Sequence, residues 1–189
     1  MTALFFGSFN PVHVGHLIIA NYFAEQLGET WMVLSPHNPH KERKSLANDY
    51  DRLALLELGI GDNPKVRTSN VEFALPKPSY TVDTLAHLRD KYPQRDFALI
   101  MGGDNLVSLP RWKNADEIVK HHQVHVYLRP DYEVSGPYAD HPQVKLHRDA
   151  PQMQISSSYI RTALSQNRSV RYLVPDAVRQ ELHAKGLYR

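Results

Sequence analysis

The feature that most constrains this chain is an alternation. Short runs that are apolar throughout take turns with longer segments whose apolar residues recur at helical spacing. Thr2 to Phe9, Trp31 to Ser35, Phe97 to Met101 and Val124 to Leu128 are the apolar runs, and the more polar Val66 to Phe73 and Val144 to His147 read as further strands. Between them, Leu17, Ile18, Ala20, Tyr22, Phe23, Ala24 and Leu27 mark a helix from Val14 or Gly15, and Gly28 stops it. Leu53, Leu56 and Ile60 mark a second helix over Asp49 to Ile60. A third runs from a cap at Ser79 or Thr81 to Lys91, a fourth covers Ala115 to Lys120, and two more lie near Ser157 to Gln166 and Pro175 to Lys185.

Strands without a polar face must be covered on both sides. The pattern therefore predicts an α/β fold, a Rossmann-like, doubly wound parallel sheet of about five to six strands with helices on both faces. One domain over residues 1–189 is expected, with residues 156–189 a C-terminal helical part completing the ligand site. Ligands of such sheets bind outside the carboxyl ends of the strands, where strand order reverses. That puts the loops Gly7 to His16, Ser35 to Lys44 and Gly102 to Trp112 at the functional edge.

Composition removes several alternatives. The absence of cysteine excludes disulfides, a thiol nucleophile and thiolate metal sites. A formal net charge of +2 demands no nucleic-acid partner. No apolar run reaches the roughly 18 residues of a spanning helix, and the amino end lacks a secretory pattern, so no membrane partner and a cytoplasmic location are expected. Nothing in the pattern chooses between monomer and homo-oligomer.

The first loop, Gly7-Ser8-Phe9-Asn10-Pro11-Val12-His13-Val14-Gly15-His16, follows a buried strand and opens a helix. Gly7 lets backbone come close to a ligand. The helix start offers N–H groups and a positive dipole end. His13 and His16, three apart, share one face of the first turn, and Gly15 leaves room between them. Two imidazoles with backbone donors make a cradle for a polyphosphate, and a phosphate neighbour raises a histidine pKa. Two competing readings of the histidines remain: a metal pair, for which no third ligand follows in register, and incidental helix-cap residues. Late in the chain, Gln154-Ile155-Ser156-Ser157-Ser158-Tyr159-Ile160-Arg161 sets serines and an arginine at a helix start, a capped helix or an anion site by its residue types.

Together these segments resemble the G-x-F-x-P-x-H-x-G-H and I-S-S-[ST]-x-x-R signatures of the nucleotidyltransferase α/β-phosphodiesterase superfamily. The resemblance implies ATP binding by Gly7, Ser8, Phe9, His13, His16, Gly102, Asp104, Ile155, Ser157, Ser158 and Arg161, with His13 and His16 catalytic and the serines and Arg161 on the β- and γ-phosphates. Three further segments are similar to the bacterial nicotinate mononucleotide adenylyltransferases: Pro39-His40-Lys41, Ser79-Tyr80-Thr81-Val82-Asp83-Thr84-Leu85, and Gly102-Gly103-Asp104 continuing to Leu109-Pro110-Arg111-Trp112. Glu72, placed in the preceding strand, matches an acidic position of that pattern. On this likeness Lys41, Tyr80, Thr81, Thr84, Asp104, Leu109 and Trp112 bind the acceptor. The implied substrates are ATP and nicotinate mononucleotide. Mg²⁺ is the implied cofactor, held mainly by ATP phosphates and water, with no metal site in the protein. A sister activity on nicotinamide mononucleotide or phosphopantetheine, or a nucleotide-binding regulator without turnover, are the alternatives. Ser8, Asn10 and Val14 depart from the commoner residues of the first signature, and none of these changes removes a phosphate ligand.

Overall fold

The computed structural model describes residues 1–36, 46–129 and 133–189. Among them, six parallel strands form one sheet in the order β3-β2-β1-β4-β5-β6. The strands are β1 (Thr2–Gly7), β2 (Glu29–Leu34), β3 (Val66–Ser69), β4 (Phe97–Gly102), β5 (Val124–Tyr127) and β6 (Val144–His147). The chain builds outward from β1 to β3, then returns past β1 to lay down β4. Strand order reverses at the β1–β4 seam, where Thr2 pairs with Phe97 and Phe5 with Ile100. Continuing that register sets Gly7 and Gly102 at the same edge.

The helices are α1 (Val14–Leu27), α2 (Asp49–Ile60), α3 (Thr81–Lys91), α4 (Gly103–Ser108), α5 (Ala115–His121), α6 (Ser157–Ser165) and α7 (Asp176–Ala184). They divide between two cores because side chains alternate across each strand. Ala3, Phe5, Met32, Leu34 and Ile100 point to one face, where α1, α2, α6 and α7 bury Phe23, Leu55, Leu56, Ile160 and Val178. Leu4, Trp31, Val33, Leu99 and Met101 point to the other, covered by Leu85 and Leu88 of α3 and Ile118 and Val119 of α5. Apolar runs without alternation are what such two-sided burial requires. No helix among the described residues is long and apolar enough to cross a membrane.

Three local expectations are corrected. The run Val66 to Phe73 is a strand only to Ser69, and Val71–Ala74 is a turn of 3₁₀ helix, so Glu72 lies outside the strand. The N-cap of α3 is Tyr80, with no side-chain cap bond, and Thr81 is the first helical residue. The segment after Gly102 is not an open loop. It forms α4 and then a 3₁₀ turn over Leu109–Arg111.

Candidate active site

A cleft of about 680 Å³ opens at the carboxyl edge of the β1–β4 seam. That volume suits a nucleotide-sized ligand. The first loop forms one wall. Its Asn10–Pro11 peptide is cis, and His13 is the N-cap of α1. His13 Nδ1 accepts from the amide N–H of His16, and His16 Nδ1 accepts from the amide N–H of His13, each at 3.3 Å. The two rings stack with centroids 3.6 Å apart. The histidines thus close a reciprocal capping box, a role usually filled by Ser or Thr with Glu.

This geometry sets the chemistry of the rings. With Nδ1 accepting, the hydrogen of each neutral ring sits on Nε2. Burial pushes the His13 pKa down to about 4, so its imidazole is neutral at pH 7 in the free protein. His13 therefore presents an oriented neutral Nε2–H donor before any phosphate arrives. The backbone contributes less than the sequence implied. The Val14 amide already donates to the Leu173 carbonyl at 3.0 Å, and the His16 amide to His13.

The start of α6 forms the opposite wall. Ser156 is its N-cap and accepts from the Tyr159 amide. The amides of Ser157 and Ser158 lie in the first turn, where no intrahelical acceptor exists. Arg161 Nη1 donates to the Asn10 carbonyl at 2.9 Å, and its Nη2 donates to Ser158 Oγ at 3.2 Å. Ser157 Oγ donates to the Pro11 carbonyl at 2.9 Å. Segments almost 150 residues apart in sequence are thus bonded across one cleft. Gly7, Ser8, Phe9, His13, His16, Ile155, Ser157, Ser158 and Arg161 all line it. Gly102 and Asp104 do not, although Asn105 beside Asp104 does.

Of the expected acceptor residues, Leu109 and Trp112 belong to the core on the other face of the sheet. Thr84 is buried, and its hydroxyl donates to Glu72 Oε1 at 2.9 Å. Burial of Glu72 raises its carboxyl pKa. Leu109 is fully buried in the second core. Trp112 packs at the rim of that core, as does Phe6, which also lines the cleft. Lys113 pairs with Asp83 at 2.8 Å and lies 4.9 Å from the centre of the Tyr80 ring. It joins the two segments that carry Tyr80, Thr81 and Trp112. Lys41 lies outside the described residues.

Comparison with known proteins agrees with this arrangement. The cytidylyltransferase-like family model matches residues 4–163. The chain belongs to the cytidylyltransferase-like family. Within it, a protein of Cytophaga hutchinsonii named "Probable nicotinate-nucleotide adenylyltransferase" is 49% identical, over 98% of this chain and 96% of its own. One of the same name from Flavobacterium psychrophilum is 44% identical, over 98% and 97%. A structure of Plasmodium falciparum nicotinic acid mononucleotide adenylyltransferase complexed with NaAD aligns with a TM-score of 0.79 at 17% identity, over 99% of this chain and 96% of that one. At such identity the likeness is one of fold.

For a member of this family, the cleft contains residues that sequence reasoning passed over. Tyr127, Arg129, Asn105 and Gln152 line it from β5, the segment after it, α4 and the approach to α6. Asn10 Oδ1 accepts from the Ala47 amide at 3.1 Å and from Tyr188 Oη at 2.5 Å, tying the first loop to the end of the chain. Arg52 is fully buried beneath the same loop. A signal for Arg52 was present: it stands three and four residues before Leu55 and Leu56, on the buried stripe of α2.

Proposed function

We propose that this protein transfers AMP from ATP to nicotinate mononucleotide, forming nicotinate adenine dinucleotide and pyrophosphate. The observation that carries the reading is the pairing of the His13–His16 turn with the start of α6 across one cleft at the strand-order reversal. The names of relatives at 49% and 44% identity support the acceptor.

In this reading an acceptor 5′-phosphate oxygen forms a bond to the α-phosphorus of ATP. The bond from that phosphorus to the α–β bridging oxygen breaks, and pyrophosphate leaves with the electron pair. The nucleophile is already anionic, so no general base is required. The protein's work is to hold two anions in line and to stabilise the charge that develops. His13 and His16 donate from Nε2 to the triphosphate. Ser157, Ser158 and Arg161 take the departing pyrophosphate, with the guanidinium suited to phosphate oxygens. Residues 156–189 belong to the same domain and complete this site. Lys41, Tyr80, Thr81, Thr84, Asp104, Leu109 and Trp112 shape the acceptor side, Thr84 and Leu109 from within the packing.

The described lining of the cleft has no carboxylate, and no group of three metal-ligating side chains occurs among the described residues. Mg²⁺ enters this reading with ATP, carried by phosphate oxygens and water.

An acceptor panel tests the assignment. Protein, ATP and Mg²⁺ are mixed separately with nicotinate mononucleotide, nicotinamide mononucleotide and phosphopantetheine, and dinucleotide and pyrophosphate are measured. Nicotinate mononucleotide should give the highest kcat/KM, with equimolar products. A higher kcat/KM for another acceptor would move the protein to a sister activity.

A further inference from the structure

We propose that Arg52 is a positioning residue for this reaction, clamping the first loop and the segment after β2 in their ligand-ready arrangement. The proposal rests on the reading of the cleft as the nucleotide site. Arg52 comes from the first turn of α2 and is 0% exposed. Its Nη1 donates to the carbonyls of Ser8, from the first loop, and of Ser35, from the end of β2. Its Nη2 donates to the Pro36 carbonyl at 3.3 Å and to Asp49 Oδ1 at 2.6 Å. Its Nε donates to the Ala47 carbonyl at 3.2 Å.

Four of the five acceptors are backbone carbonyls, and they belong to three stretches: Ser8 of the first loop, Ser35 and Pro36 after β2, and Ala47 before α2. A buried guanidinium is costly unless every donor is used, and here its contacts are spent on fixing loop positions. Ser8 lines the cleft, and its neighbour Phe9 packs edge-on to His16 with ring centroids 5.1 Å apart. Asn10, two residues on, meets both Ala47 and Arg161. Loss of the clamp releases Ser8 in the first loop and Ser35 and Pro36 after β2. Apparent affinity then falls in proportion to the fraction of molecules in the competent arrangement.

Lysine cannot replace this residue. An ammonium offers three donors from one point, against five in a planar fork. The test uses the full chain with Arg52→Lys and Arg52→Met. Three readouts are taken: thermal melting, ATP binding by calorimetry with steady-state kinetics, and amide hydrogen exchange over residues 8–12 and 33–36 without ligand. A purely structural role would lower the active fraction, reducing kcat at constant KM. Positioning predicts a cooperative melt, at least tenfold weaker ATP binding, a matching rise in KM for ATP, and faster exchange in both segments. Unchanged KM and exchange in the folded variants would overturn the proposal. Loss of a cooperative melt in both variants would make Arg52 a residue of the fold and would overturn it too. Faster exchange in variants of a wild type that forms no dinucleotide would keep the clamp while removing the functional reading.

Discussion

At the scale of single residues, the two glycines of the first loop serve their neighbours in the protein. A Cβ on Gly7 would lie 2.8 Å from the ring of Phe9, which is buried and held at φ 39°. A Cβ on Gly15 would lie 3.1 Å from His13 Nδ1. Gly15→Ala therefore has opposed effects. It replaces a poor helix former in the first turn of α1, worth up to about 1 kcal/mol, and it crowds the His13 ring, proposed above to face the phosphates. We predict a melting temperature unchanged or raised, with kcat/KM for ATP lowered at least tenfold. An unchanged kcat/KM would show that the His13 ring tolerates displacement. From sequence, a phosphate cradle at Gly7, His13, Gly15 and His16 was legible as one reading of residue type and spacing, beside a metal pair and helix-cap residues, and all four line one cleft. Their mutual bonding was not legible. That two histidines would cap each other, and so fix which nitrogen donates, depends on ring placements that spacing does not encode.

At the scale of elements, β5 and β6 carry a histidine pair with a consequence for stability. His125 Nδ1 lies 2.9 Å from His147 Nε2, and Gln123 Oε1 meets His125 Nε2 at 3.2 Å. Phe23 of α1 packs edge-on to both rings, while Tyr22 reaches His147 and Asp149. Burial, then the charges of His147 and Lys145, push the His125 pKa down to about 4. The unfolded chain takes up this proton near the ordinary histidine value of about 6.5, so between these values it binds more protons than the folded one. The His125 contribution to stability is therefore lost as pH drops from about 6.5 to about 4. We predict that His125→Gln flattens part of that slope, measured by denaturant unfolding across the window. An identical slope in the variant would show that His125 binds its proton alike in the folded and unfolded chain. His13 titrates in the same direction and supplies a remaining part. Elements with strong periodicity, such as α1, α2 and β6, stand where their patterns put them. Those decided by tertiary context do not. Val71–Ala74 leaves the β ladder after Ser69, and α4 forms in a segment whose glycines read as a loop.

At the scale of the whole molecule, the alternation of apolar runs and helical segments was enough to imply a two-sided parallel sheet with a crevice at its reversal. The strand order of β3-β2-β1-β4-β5-β6 places that reversal between β1 and β4, and the two signature segments meet there. What the sequence could not yield is the framework behind the cleft: Arg52, Tyr188 and Asn10 join segments from α2, the end of the chain and the first loop. Such contacts follow from the packed fold and leave only a buried charge or a lone tyrosine as a trace. The central claim is that this cleft activates ATP through the His13–His16 turn. It is tested most directly by the initial rate of pyrophosphate release from ATP, Mg²⁺ and nicotinate mononucleotide, with wild type beside His16→Ala. The account predicts steady release by the wild type and a loss of roughly 10²–10³-fold in kcat for the variant, the usual cost of one donor to developing charge, with a cooperative melt retained. No release by the wild type, or a variant within twofold of it, would contradict the account.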